Sequence, residues 1–170
     1  MRTRFAAVFA ALALLTVQAC GPQAPAAAGS AEDEQAVREL AGKWAAAYSQ
    51  RDTAAFGPLV TDDYEDVAPT GEHTQGRAAF QAMLAREFAM MPANAQMSLS
   101  ATTTFVRWIN ADAAITGGTW QASPGTPGMP SKGSWMGVAV RRGTTWQMQS
   151  VLGAADLSAM MAQDTAKKTP

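Results

Sequence analysis

The apolar residues of this chain change period once, at Pro92, and that single change limits the folds open to it. Before Pro92 they recur at helical spacing, and after it they alternate with polar residues as strands do. Ser30 followed by Asp33 offers a side-chain cap, and behind it Val37, Leu40, Ala41, Trp44, Ala47 and Tyr48 define a first helix over about Glu32–Gln50. Asp52 caps a short second helix to about Val60, weakened by Gly57-Pro58 because proline lacks the amide proton of an interior position. Thr61-Asp62-Asp63 reads as a turn, Tyr64–Ala68 as a short strand, Pro69-Thr70-Gly71 as a second turn, and Arg77–Met90 as a third helix that Pro92 stops. Gln96–Ile109, Ala113–Ala122, Gly133–Arg142 and Thr144–Leu152 then read as strands, with a long Pro/Gly loop at Ser123–Lys132. Helices first and an antiparallel sheet second predict an α+β domain in which one sheet curls over a helical layer.

The domain is preceded by a segment of different character. Arg2 and Arg4 open the chain, Phe5–Val17 follows as 13 uncharged residues, and Val17-Gln18-Ala19-Cys20 closes it with the chain's single Cys. A bilayer-crossing helix needs about 20 residues, so the segment reads as a secretory signal over 1–19. The arrangement resembles bacterial lipoproteins, and the resemblance implies cleavage before Cys20 and acyl chains on its thiol and new amino terminus. By resemblance to proteobacterial lipoproteins, Gly21 rather than Asp after the Cys implies sorting to the outer membrane, facing the periplasm, in an organism that has one. Residues 20–31 hold no large apolar side chain and form a flexible tether. The folded domain is expected at 32–157, with a polar tail at 158–170.

Charge excludes some partners. Without Arg2 and Arg4 the chain keeps 11 basic side chains against 14 acidic ones, a net of −3 with no basic stripe, so nucleic acid is not an expected partner. One His and one Cys give no metal-ligand spacing, and no Gly-rich phosphate loop joins a strand to a helix, so neither a metal nor another cofactor is expected.

Trp44-Ala45-Ala46-Ala47-Tyr48, Arg51-Asp52, Thr61-Asp62-Asp63, Gly71 and His73-Thr74-Gln75-Gly76-Arg77 resemble the first helix, turn, strand and third-helix start of nuclear transport factor 2-like domains. Within that superfamily the chain is most similar to the SnoaL-like and bacterial calcium/calmodulin kinase association-like groups. The resemblance implies a cone: a strongly curved antiparallel sheet wraps the first helix and leaves a cavity at its open end. Members include steroid isomerases, cyclases, dehydratases and non-catalytic binding or dimerisation modules, so the fold does not decide the activity.

The residues speak to it position by position. Ketosteroid isomerases place their general base immediately before the Pro of the second turn, which here is Ala68, and their oxyanion-holding Tyr where this chain has Trp44. Chemistry of that kind needs a carboxylate and a positioned donor, so it is disfavoured. Asp66 is the nearest substitute. On an extended strand it shares a side with Tyr64 and Ala68. On the cavity side it is a base with Tyr64 or Trp44 as donor, and on the outer side a solvated acid, the commoner state of a strand-end carboxylate. His73 is the chain's single His, and its loop position favours a surface or turn hydrogen bond. Trp44, Tyr48, Tyr64 and Trp135 are the pocket residues expected, since Trp135, Gly137 and Ala139 form a strand face with room beside the indole. The leading expectation is a membrane-tethered, non-catalytic module that binds a small apolar ligand or pairs, through its sheet, with itself as a homodimer or with another envelope protein. The alternative is a cofactor-free isomerase, cyclase or dehydratase using Asp66 with Tyr64 or His73.

Overall fold

The computed structural model describes residues 28–92, 97–123 and 131–158. The signal, Cys20, most of the tether, most of the Pro/Gly loop and the tail beyond Ser158 lie outside the described residues. Two α-helices, α1 (Ala31–Ser49) and α2 (Arg77–Met90), flank a short 3-10 helix (Ala54–Leu59) and pack on six strands: β1 (Val60–Val67), β2 (His73–Gln75), β3 (Ser98–Asn110), β4 (Ala113–Ser123), β5 (Lys132–Arg142) and β6 (Thr145–Ala155). The strands form one curved, unclosed sheet in the order β2-β1-β6-β5-β4-β3. The α+β expectation holds. All pairs are antiparallel except β1 with β6.

α1 starts where its cap predicts. Ser30 Oγ accepts from the Asp33 amide at 3.1 Å while Asp33 Oδ2 accepts from the Ser30 amide at 3.0 Å, so each satisfies a donor that the first turn leaves free. Asp33 also fastens the helix to the sheet. Its carboxylate pairs with Arg141 of β5 at 2.6 Å and accepts from the Trp146 indole of β6 at 3.0 Å. Arg141 lies over the Trp146 ring at 4.9 Å, closing the group. Arg141, then Trp146, then the Ser30 amide hold the Asp33 carboxyl well below the usual carboxylate range.

Beneath α1 the core is aromatic. Trp44 meets Phe56 at 5.0 Å, Phe80 at 5.2 Å and Tyr64 at 5.9 Å between ring centres, and Tyr64 meets Phe80 at 4.9 Å. Edge and tilted pairs of this kind add about 0.5–1.5 kcal/mol each beyond burial. Phe56, Tyr64 and Phe80 are sealed from solvent, so the 3-10 helix, β1 and α2 meet at one point under α1.

Two expectations for the first strand are corrected. Thr61-Asp62-Asp63 is not a turn but the first half of β1, and His73 lies on a short strand, β2, paired with β1, not in a loop. The register explains the first: Val60 pairs with Met148 and Glu65 with Ser150, so five residues of β1 advance against two of β6. That bulge keeps Val60 and Thr61 buried while Asp62 and Asp63 stay exposed. Arg77 pairs with Asp62 at 2.9 Å and donates to the Val60 carbonyl at 2.8 Å, tying the bulge to α2. Gly76, at φ 89°, makes the entry into α2 in a conformation that favours glycine. β6 also runs to Ala155, three residues past the expected end.

The sheet's outer face is partly apolar. Leu152, Met136 and Phe105 register in one row through Gly117, with exposures of 47%, 49% and 36%.

Asp33→Ala removes the cap and both links to the sheet, and at pH 7 it is expected to lower the melting temperature by at least about 4 °C, the shift that loss of a cap alone produces in a domain this size. A carboxyl held low in the folded state stabilises above its unfolded value and loses that contribution as pH falls. The gap between the two proteins, read by circular dichroism melts, is therefore full at pH 7 and narrows below about pH 3.9.

Candidate functional site

The curvature of the sheet leaves a cavity of about 970 Å³ between its inner face, α1 and α2. Trp44 and Tyr48 come from α1, Phe80 and Met83 from α2, and Trp120 and Trp135 from β4 and β5. Methionines line it densely: Met90, Met91, Met97 and Met148 join Met83. Unbranched thioethers adapt to irregular shapes, so the lining is apolar and compliant. Gly153 shapes one wall, because a Cβ there would stand 2.8 Å from the Pro69 ring. Its hydrogen lets the turn after β1 close over the end of β6.

Asp66 stands in this wall. It pairs with Val151, and Val151 with Gly137. Two residues along β5 lies Trp135, on the same face. The question left open by the sequence is thus answered: Asp66 faces inward, is only 7% exposed and lines the cavity. It is not a solvated surface acid. Tyr64 is the reason this is tolerable. The Tyr64 hydroxyl, at the base of the aromatic core, donates to Asp66 Oδ1 at 2.8 Å, so a buried donor and a buried acceptor satisfy each other. Among the described residues nothing donates to Oδ2.

The electrostatics follow from this placement. Burial raises the Asp66 carboxyl above its ordinary value; the Tyr64 hydrogen bond opposes that, nearby Glu87 and Glu72 add to it, and His73 opposes it weakly. Burial, then the charge of Asp66, pushes Tyr64 well above the usual range for a phenol. Across the cavity Tyr48 donates a short hydrogen bond to Glu87 Oε1, joining α1 to α2. Burial first and Glu87 second raise the Tyr48 phenol as well.

Of the pocket residues expected from sequence, Trp44, Tyr48 and Trp135 line the cavity, whereas Tyr64 lies behind the wall with its hydroxyl spent on Asp66. The Trp135 indole N–H is sealed from solvent and has no partner among the described residues, so it is packed away from the cavity surface. His73 does not join the site: its ring is half exposed and stands 3.8 Å from Glu65. Ala68 and Trp44, at the two isomerase positions, both line the cavity with a methyl group and an indole. Glu87, Glu72 and the methionines of α2 were missed. The signal for them was the stripe Phe80, Met83, Leu84, Glu87 and Met91, in which a carboxylate interrupts an otherwise apolar helix face. A second, smaller pocket of about 480 Å³ beside Ser100 and Thr102 is polar, and its charged residues, Lys132 and Asp156, already pair at 3.2 Å.

This architecture, a cone of curved sheet around a first helix with a cavity at its open end, is the nuclear transport factor 2-like fold. The chain belongs to the SnoaL-like domain family, whose model matches residues 41–151. Solved structures agree on the fold. A domain of unknown function with a cystatin-like fold from Nostoc punctiforme superposes with a TM-score of 0.66 at 17% identity, over 81% of this chain and 86% of that one. A nuclear transport factor 2-like superfamily protein from Salmonella enterica gives 0.60 at 13%, over 72% and 89%. A hexachlorocyclohexane dehydrochlorinase, LinA type 2, gives 0.62 at 16%, over 74% and 86%. No curated protein sequence matched.

A buried carboxyl whose folded value is raised costs stability once the unfolded chain can ionise, so its destabilising effect is absent below about pH 3.9 and grows as pH rises through the raised folded value. Asp66→Asn keeps an acceptor for Tyr64 and removes the charge. It is expected to melt higher than the parent chain at pH 7, with the difference shrinking towards pH 3.5; a lower melting temperature at pH 7 would show that the charge supports the fold.

Proposed function

We propose that this protein is an exported, lipid-anchored module whose domain holds a small apolar molecule in the cone. The observation that carries the reading is the cavity itself: about 970 Å³, walled by tryptophans, methionines and aliphatic side chains, with few polar groups. Ligand sites combine volume, apolar lining and a small number of polar anchors in this way. Asp66 is the anchor. The segment ending at Cys20 supplies the address: two or three acyl chains on that residue hold the protein to a bilayer, where one chain alone gives marginal binding. Gly21 supports an outer-membrane site facing the periplasm. The tether then lets the cone reach a ligand released from, or delivered to, the membrane.

Native mass spectrometry of the full chain tests the binding reading. The expected spectrum shows a co-purified small molecule, and Ala101→Trp, which fills the cavity from β3, loses it while its circular dichroism stays that of the parent. An empty parent chain that also binds no added apolar compound contradicts the reading. The same spectrum gives the subunit number, and a dimer would favour a second copy seated on the outer row of Phe105, Met136 and Leu152. For the anchor, the mature chain is expected to partition into the detergent phase of Triton X-114 and Cys20→Ser into the aqueous phase.

One observation favours a second reading. Asp66 lines the cavity, its Oδ2 has no donor among the described residues, and burial raises its carboxyl above the ordinary value, the direction that makes a carboxylate a stronger base. In that reading Oδ2 takes a proton from carbon in a cofactor-free isomerisation, cyclisation or elimination. The aliphatic Ala68 and bulky Trp44 at the two isomerase positions weigh against it. Deuterium from solvent entering a bound compound, and not entering with Asp66→Asn, would select this reading over simple binding.

A further inference from the structure

Resting on the binding reading, we propose that the cavity's ligand is an apolar amine held as its cation, with the ammonium on Asp66 Oδ2 and the apolar body among the aromatic rings. Three observations converge on it. First, Asp66 is buried yet keeps one oxygen without a donor among the described residues, while the protein spends a single neutral hydrogen bond, from Tyr64, on the other. A buried carboxylate is stable only when paired or fully hydrogen-bonded. An ammonium supplies both the charge and the donor that Oδ2 lacks.

Second, the charged lining is unbalanced. Among the described residues, Asp66, Glu72 and Glu87 line the cavity against one cation, Arg86; Glu72 and Arg86 are both exposed at the rim, while Asp66 and Glu87 lie deeper. An acid entering this space meets like charge at low dielectric, whereas a cation is drawn in. The side chains that act on Asp66 are Tyr64 on β1, Glu87 on α2, Glu72 on the turn and His73 on β2; Tyr48 of α1 and Arg86 of α2 also line the cavity. His73 is exposed and beside Glu65, so it does not serve as the missing counter-charge.

Third, the rings are of the right kind. Trp44, Tyr48, Phe80, Trp120 and Trp135 line one space, and their faces attract cations, tryptophan most strongly. The methionines let that space close on bodies of different outline.

Three probes that share one ring and a one-carbon link and carry a cationic, a neutral and an anionic group test the proposal: 1-naphthylmethylamine, 1-naphthylmethanol and 1-naphthylacetic acid, titrated calorimetrically into the full chain, with Asp66→Asn as the control for partition into detergent. The amine is expected to bind about 10-fold or more tighter than the alcohol, and the acid weakest. The gap between amine and alcohol closes in Asp66→Asn, and in the parent chain it closes as pH falls through the Asp66 titration, because the carboxylic acid no longer offers a charge. An alcohol that binds as tightly as the amine overturns the charge assignment and leaves the binding reading intact. Failure of all three to bind overturns both. The comparison of probes on the unsubstituted chain decides the matter even if Asp66→Asn does not fold.

Discussion

The hydrogen bond between Tyr64 and Asp66 joins the two halves of this structure, its core and its cavity. Tyr64 is needed in the core: its ring completes the contact of Trp44, Phe56 and Phe80 through which α1, α2 and β1 meet. A phenol buried that deeply must place its hydroxyl, and the acceptor it finds is two residues along the same strand. The cost of burying the hydroxyl is thereby moved to the cavity wall, where a carboxylate now stands with one oxygen tied and the other without a donor among the described residues. Packing demand has created a polar anchor in an apolar space.

Much of the rest serves to hold that wall in place. Asp33 pins the start of α1 to β5 and β6, so the helix lies along the sheet at a fixed height. Arg77 ties the bulge in β1 to α2, and the bulge turns Tyr64 and Asp66 inward after the exposed pair Asp62 and Asp63. Gly153 lets the turn after β1 close against β6. The cavity is the space these ties leave between a curved sheet and two helices, and its carboxylates give it a sign.

The sequence made the α+β plan legible because the apolar period changes so cleanly at Pro92. Ser30 and Asp33 marked the start of α1 for a local reason, a cap completed within four residues. β1 was half hidden, since Thr61-Asp62-Asp63 has the composition of a turn and only a pairing with β6, more than eighty residues away, makes it strand. That pairing is also the single parallel one, which no local pattern announces. β2 is three residues long, too short for alternation to show. For Asp66 the period of two gave its companions, Tyr64 and Ala68, but not its side. Tyr64 itself held the answer: a tyrosine between two acids is far more easily buried than exposed along a strand that packs under helices, and Asp66 had to follow it. Glu87 was legible in principle as the one carboxylate in the apolar stripe of α2.

The account therefore stands on the state of one side chain. Carbon-13 NMR of the Asp66 carboxyl carbon, followed through a pH titration of the unliganded chain, reads that state directly. A midpoint above the ordinary aspartate value of 3.8, together with the Tyr64 phenol remaining protonated throughout, is the predicted result. A midpoint at or below 3.8 would mean that Asp66 is solvated or already paired, and the cavity would have lost its anchor.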